Sequence, residues 1–240
     1  MKNKAYIVFI GLLIVGLLTG CLYPQNELAK NQIPNEAQLD MVQTAVLQYV
    51  EETNGLVPIK TKSSDVDIYE KYLIDFSLLI EHQLLSEIPG TAYENGGVYQ
   101  YIIVTPEDDP RVKLIDLRLT EEIRAINVKL DIYRSKNIYP PFGEQIAPDL
   151  YKLNYKKLGY KSEPHVISPY SNENLPLLID TDGKIYIDYR IDLKQALEEF
   201  DHTYQTGDDI RSILTDHYPF VPAYSLPYTV ENNEPVFLNK

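Results

Sequence analysis

Four histidines, His82, His165, His202 and His217, carry the side chains that titrate nearest neutrality, and two of them directly follow an aspartate, in Asp201-His202 and Asp216-His217. A carboxylate beside an imidazole can orient the ring and stabilise its protonated form, which is the chemistry of general acid and base catalysis. Sequence neighbours on a helix point in different directions, so both pairs are expected to be solvated or capping groups. No HExxH, GxSxG, GxGxxG or GxxxxGK[ST] occurs, which removes the fingerprints of zinc peptidases, nucleophile elbows, dinucleotide sites and P-loops. Asp180-Thr181-Asp182-Gly183 offers calcium-type oxygens, but an EF-hand places glycine sixth and glutamate twelfth, whereas here glycine is fourth and the twelfth residue is Ile191. The Asp-Gly turn of a hairpin accounts for it better. Glu107-Asp108-Asp109, set between Pro106 and Pro110, reads as a solvated loop. The sequence therefore assigns no catalytic residue, no metal ligand and no cofactor.

Recognition chemistry is better represented. The chain has 20 tyrosines and no tryptophan, and a tyrosine offers an apolar face together with a hydroxyl at small conformational cost. Tyr151, Tyr155, Lys156, Lys157, Tyr160 and Tyr170 are the candidate binding residues. They lie in a stretch from about Ile138 to Tyr170 that is rich in proline and carries Lys152 and Lys161 as well, with Lys136 flanking it. This is the least acidic part of a chain with 22 basic and 35 acidic residues, a formal charge of -13. Such a balance opposes nucleic acid, and the local lysines favour an envelope protein or an anionic wall polymer as partner.

The N-terminus supplies an address. Lys2 and Lys4 precede an unbroken apolar run from Ala5 to Leu18, about fourteen residues against the roughly twenty that cross a bilayer. Leu18-Thr19-Gly20-Cys21 follows and resembles the lipobox of bacterial lipoproteins, in which the cysteine takes a diacylglyceryl group and becomes the first mature residue. The expectation is a signal peptide over 1–20, lipidation at Cys21 and attachment to the extracytoplasmic face of the cell membrane. Cys21 is the single cysteine, so disulfides, CxxC pairs and multi-cysteine metal sites are excluded. Residues 21–38 are polar, broken by Pro24 and Pro34, and read as a flexible tether of on the order of 20 to 25 Å.

Beyond the tether, apolar spacing predicts a helix from about Glu36 to Thr53, a second from about Tyr69 to Leu85, a third starting at Thr120 and a shorter one from Asp149 to Leu158. Two more are expected, one lined by Leu193, Ala196, Leu197, Phe200 and Tyr204 and one by Ile210, Ile213 and Leu214. Pro89, Pro176 and Pro227 are each preceded by Ile or Leu and followed six residues later by Asn95, Asp182 or Asn233 and then by Val98-Tyr99, Ile185-Tyr186 or Val236-Phe237. This is the chemistry of an extended entry, a turn and a returning strand. Asp182-Gly183 is placed at a hairpin tip, with Leu177 to Ile179 paired against Ile185 to Ile187. The expected fold is α+β, three helix-helix-β-hairpin units at 39–118, 119–191 and 192–240, packed into one compact extracytoplasmic region.

Two resemblances add to this reading. Phe76 to Tyr101, through Leu85, Ile88, Pro89, Asn95, Gly96, Tyr99 and Tyr101, is similar to the conserved stretch of type II secretion pseudopilins. A lipobox and polar tether replace the filament-packing helix of that family, so the resemblance implies local fold only. The lipobox, the tether, Val112 to Arg118, Tyr155 to Tyr160 and the run from Leu175 to Arg190 resemble the YphF-like bacterial lipoproteins, which implies an outer-leaflet lipoprotein and brings no motif of known chemistry. The functional expectation is a binding or scaffold module of the cell envelope. The alternative is an envelope hydrolase or wall-modifying enzyme with a site assembled from scattered carboxylates and a histidine.

Overall fold

A computed structural model describes residues 36–60 and 62–238. The expected signal segment 1–20, Cys21 with its lipobox and the tether up to residue 35 lie outside the described residues. The first helix, α1 (Glu36–Glu52), buries Val42, Ala45, Val46 and Tyr49 at helical spacing. Its glutamines bind backbone elsewhere: Gln43 donates to the Pro110 carbonyl at 2.8 Å and accepts from the Val112 N–H at 2.7 Å, and Gln38 accepts from the Thr91 hydroxyl at 2.6 Å.

The single helix expected over 69–85 is two short ones, α2 (Ile68–Lys71) and α3 (Phe76–Glu81). Asp67 and Asp75 cap them, each accepting an N–H two residues on at 3.0 Å. The intervening Leu73 and Ile74 leave the helix because they join a strand: Ile74 N–H donates to Tyr101 O at 3.0 Å and Ile103 N–H to Tyr72 O at 2.9 Å. Apolar spacing cannot distinguish this, since the same residues face the core in either conformation. The strand they join is β1 (Tyr99–Val104), paired antiparallel to β2 (Arg111–Asp116) with Tyr99 opposite Asp116 and Val104 opposite Arg111. The far edge of β2 is covered by Pro219–Val221, through Leu114 N–H to Pro219 O at 2.9 Å and Val221 N–H to Leu114 O at 3.0 Å.

Helix α4 (Leu117–Arg134) follows and buries Leu119, Ile123, Ile126 and Leu130. The helix expected over Asp149 to Leu158 is instead a strand and a 3-10 turn. β3 (Phe142–Ala147) and β4 (Leu150–Leu153) form a bulged hairpin, and Tyr155–Leu158 makes the turn. Pro148 and Asp149, the latter at φ +59°, set that hairpin's tip, and chain reversal there competes successfully with helix. β5 (His165–Ile167) and β7 (Ile185–Ile187) also pair with the central β6 (Asn174–Asp180), so β6 is the hub of a five-stranded sheet. The hairpin at Asp182-Gly183 has the expected register, Leu177 opposite Ile187 and Ile179 opposite Ile185. Gly183 stands at φ +92°. Asp180 accepts from the Asp182 and Lys184 N–H groups at 3.0 and 2.8 Å and from the Tyr186 hydroxyl at 3.0 Å, so its oxygens close the turn.

The last part comprises α5 (Arg190–Glu199), α6 (Ser212–His217) and the hairpin of β8 (Tyr228–Glu231) with β9 (Glu234–Phe237). Asn232 and Asn233, at φ +50° and +62°, form the tip, the double left-handed pattern that suits strand twist. By contrast, the stretch after Pro89 turns through a 3-10 segment, Tyr93–Asn95, before β1, and its hairpin comes later, between β1 and β2. The architecture is mixed α+β, and no described helix is long and apolar enough to cross a membrane. One apolar cluster packs α4, α5 and α6 against the five-stranded sheet; another packs α1 and α3 against β1 and β2. The Tyr170 ring touches both.

Candidate functional site

Of the six candidate binding residues, the structure places four on one short segment. Tyr155, Lys156 and Lys157 open the 3-10 turn, and Gly159 at φ +79° ends it just before Tyr160. Lys156 and Lys157 are exposed, and the Lys156 ammonium lies 6.0 Å from the Tyr155 ring. The Lys129 ammonium of α4 stands 4.6 Å over Tyr160, whose phenol is pushed up by burial and then by the charge of Glu122. Tyr151 sits on β4 with its ring 4.5 Å from that of Phe142. Tyr170 is separate from these: its ring packs edge-on against Tyr189 and Tyr218, and its buried hydroxyl makes no hydrogen bond among the described residues. Burial raises that phenol far above its ordinary value. Tyr170 is thus a packing residue between clusters. The segment before β3 carries the two most exposed large apolar side chains described, Ile138 at 87% and Tyr139 at 73%.

The two Asp-His pairs do not form dyads. His217 stacks on Phe200 with centroids 3.7 Å apart, while Asp216 accepts a hydrogen bond from Arg111 at 2.7 Å. His202 lies against Tyr204, centroids 5.6 Å apart.

A concavity among the described residues involves other side chains. A cleft of about 320 Å³ opens between α2, the turn joining β1 to β2, and α6. Ile68, Tyr69, Tyr72 and Val104 give it apolar walls, and Thr105, Glu107, Asp108, Arg111, Ser212 and Thr215 add polar groups, a composition typical of small-molecule sites. The turn is held in a costly conformation. Thr105 is at φ +49°, where a β-branched residue is strained by roughly 1 to 3 kcal/mol. Its hydroxyl donates to Asp109 O at 2.5 Å, and the Asp109 N–H returns a bond to Thr105 O at 3.2 Å. The Nε of Arg111 is buried without a hydrogen bond among the described residues, with Asp109 Oδ2 at 3.8 Å. Burial, and then the charge of Arg111, lowers the neighbouring Lys113 amine, which donates to Tyr218 O at 2.8 Å.

What fixes the two sides of the cleft is a pattern that the sequence displays openly. The sequence holds four Asp-x-Arg steps: Asp109-Pro110-Arg111 leaves its Nε and carboxylate 3.8 Å apart, and Asp116-Leu117-Arg118, Asp188-Tyr189-Arg190 and Asp209-Ile210-Arg211 close into clamps. In each of these three clamps the carboxylate accepts the backbone N–H of its own arginine at 3.0 to 3.1 Å, and the guanidinium folds back on both carboxylate oxygens. The first two clamps join a hairpin to the helix after it. In the third, the guanidinium of Arg211, 3% exposed, reaches Asp67 at 3.0 Å and the Ser225 hydroxyl at 2.9 Å and lies 4.8 Å over the Tyr69 ring. Burial works against its charge, but Asp209 and Asp67 outweigh that, and its pKa is raised. Glu70 of α2 accepts from the Tyr224 N–H at 3.0 Å, and its carboxyl is pushed up by burial.

No curated protein and no solved structure matches the chain. Residues 35–116 match the family model described as the YphF family N-terminal domain. That segment runs from α1 to the end of β2 and supplies every wall of the cleft except the one from α6, and the match supports a YphF-like family.

Proposed function

We propose that the chain is a YphF-like lipoprotein, anchored through Cys21 on the extracytoplasmic face of the cell membrane, that works as a binding module of the cell envelope. The observation that carries the binding reading is the cleft itself, an apolar-walled concavity edged by polar groups, beside a turn held in strained backbone. The address rests on Leu18-Thr19-Gly20-Cys21 directly behind a short apolar run. Two acyl chains give stable anchoring where one is marginal. Exposed Ile138, Tyr139, Lys156 and Lys157 offer a second surface for an envelope protein or anionic wall polymer.

Two measurements test this. Mass spectrometry of the chain from membranes should find residues 1–20 absent and an acylated Cys21, with Cys21→Ser released from the membrane. Native mass spectrometry of the same preparation should find a small-molecule adduct that Ile68→Trp, which places a large ring over the cleft, removes. An unacylated soluble chain defeats the anchoring, and an adduct indifferent to Ile68→Trp defeats the cleft.

A further inference from the structure

Two chemistries meet on the surface around the 3-10 turn. Ile138 and Tyr139 are 87% and 73% exposed, and the Asn154 N–H donates to Pro141 O at 2.8 Å, which lays their segment alongside the residues that open the turn. The Lys129 ammonium over the Tyr160 ring joins α4 to the far end of the same turn. Between Lys129 and Glu163 the sequence has seven basic and four acidic residues, in a chain whose formal charge is -13. Lys152 is paired with Glu144 at 2.7 Å, but the exposed Lys136, Lys156, Lys157 and Lys161 make no ion pair among the described residues.

A hydrophilic wall polymer would engage the lysines and leave Ile138 and Tyr139 in water. An envelope protein has first to be met by diffusion. An anionic bilayer uses both parts of the surface: lysines face the headgroups, while an isoleucine and a tyrosine ring enter the boundary between headgroups and acyl chains. The anchor also makes this partner permanently present. Cys21 precedes Glu36 by fifteen residues, which span at most about 55 Å, and a domain of this size is roughly 40 Å across. Contacts too weak to hold a free protein then suffice, because they form at high effective concentration. Resting on the lipid-anchored reading above, we infer that this surface docks on the anionic face of the membrane that holds Cys21, with Ile138 and Tyr139 at the interface and Lys136, Lys156, Lys157 and Lys161 over the headgroups. The acyl group sets how far the domain can stray, and this surface sets which way it faces. The remainder of the chain is strongly acidic, so the same headgroups that attract the lysines repel its other faces.

The chain contains no tryptophan, so Tyr139→Trp installs a single fluorescent reporter at the contact, and Tyr93→Trp, at a position 62% exposed on the 3-10 segment before β1, serves as its control. Each full-length variant is purified from membranes, its acyl group checked by mass, and reconstituted into phosphatidylcholine vesicles with or without phosphatidylglycerol, whose brominated acyl chains quench a nearby indole. With phosphatidylglycerol present, the Tyr139→Trp reporter should shift to shorter wavelength and lose roughly half or more of its emission. The Tyr93→Trp reporter should be unquenched. Lys136→Glu, Lys156→Glu and Lys157→Glu together, all at exposed positions without an ion pair, should abolish the quenching while the acyl group keeps the protein on the vesicle, and so should omission of phosphatidylglycerol. Equal quenching of both reporters, none of the Tyr139→Trp reporter, or quenching indifferent to charge reversal and to phosphatidylglycerol would overturn the inference. A Tyr139→Trp emission that responds only to purified wall polymer assigns the surface to that partner and overturns it as well. Failure of the anchoring reads differently, as an unacylated mass. The same chain added from solution to phosphatidylglycerol vesicles then decides the surface by itself: quenching supports it, and silence removes it together with the anchor.

Discussion

Asp67 and Arg211 are 144 residues apart in the chain and 3.0 Å apart in the fold. Asp67 caps α2 with one oxygen, Oδ1, and holds the guanidinium with the other. The helix start that forms one wall of the cleft is therefore fastened to the residue immediately before α6, which forms the opposite wall. Neither residue lines the cleft, yet together they set its width.

Arg211→Met retains much of the side-chain volume and removes the charge, leaving Asp67 and Asp209 facing each other without their shared partner. Removing one member of a buried ion network costs about 3 to 5 kcal/mol. Urea unfolding should show a loss near the lower end of that range, because Asp67 and Asp209 keep some solvent contact. A loss under about 1 kcal/mol would mean that the network is dispensable.

Two glycines should respond differently to a side chain. At Gly97 a Cβ would stand 2.1 Å from the Thr91 carbonyl carbon and oxygen, which are backbone and cannot swing away. At Gly183 it would meet the Arg134 Nη1 at 2.9 Å, the movable end of a long side chain. Gly183→Val should cost roughly 1 to 2 kcal/mol, mostly from its left-handed backbone. Gly97→Ala should cost about 3 kcal/mol, as overpacking against fixed atoms does. Thermal unfolding of the two variants side by side gives the comparison, and the reverse order would contradict the packing described around Thr91.

Asp192, 2% exposed, accepts from the Ser168 and Ser171 hydroxyls through Oδ1 at 2.8 and 2.6 Å, while Oδ2 has no hydrogen bond among the described residues. Burial raises its carboxyl above the usual range, against the lowering effect of the two serines. A folded pKa above the unfolded one means that the group's contribution is fully present below the unfolded pKa and is lost as pH rises through the folded value. Asp192→Asn should therefore be more stable than wild type at pH 7, with the difference vanishing below about pH 4, the unfolded value of an aspartate. Melting temperatures across that range decide it, and an unchanged gap at acid pH counts against the assignment.

His202→Ala and His217→Ala should fold and retain the protein's cellular role, each within about 1 kcal/mol of wild type. His217 has a flat contact with Phe200 to lose. A variant that folds normally yet behaves like a deletion would reinstate the acid-base reading.

Photo-crosslinking residues at Tyr155 and Tyr160 should give a specific adduct in intact cells if the turn is a partner surface. Absence of any adduct, with unchanged partners after both tyrosines and Lys156-Lys157 are replaced, would sink that proposal.

The parts that were readable in advance are those where local chemistry and burial agree. α1 and α4 show their core faces as helical spacing, and Ile185 and Ile187 alternate with the half-exposed Tyr186 as a half-buried strand must, while Tyr189, expected on the same strand face, instead starts α5. Leu73 and Ile74 were misread because their partner, β1, lies about thirty residues on, and no local signal encodes that pairing. The 149–158 segment failed for a different reason: Pro148 and Asp149 make a hairpin tip that helical spacing conceals. Of the candidate site, the tyrosine-lysine turn was visible as composition. The cleft was not, because its walls come from three separated segments that only tertiary pairing unites. One signal was available and unused, the recurring Asp-x-Arg, whose last copy marks the residue that fastens those walls together.

The cover on the outer edge of β2 sets an order in time. Lys113 and Leu114 take Tyr218, Pro219 and Val221 as hydrogen-bond partners, and 105 residues separate Lys113 from Tyr218. During synthesis at about 5 to 20 residues per second, the first hairpin therefore waits roughly 5 to 20 s with that edge open. An uncovered strand in that interval is a template for another chain. The nascent protein is most exposed to mispairing before residues 218–221 emerge, and a ribosome stalled in that window would leave a product unable to seal its own first sheet.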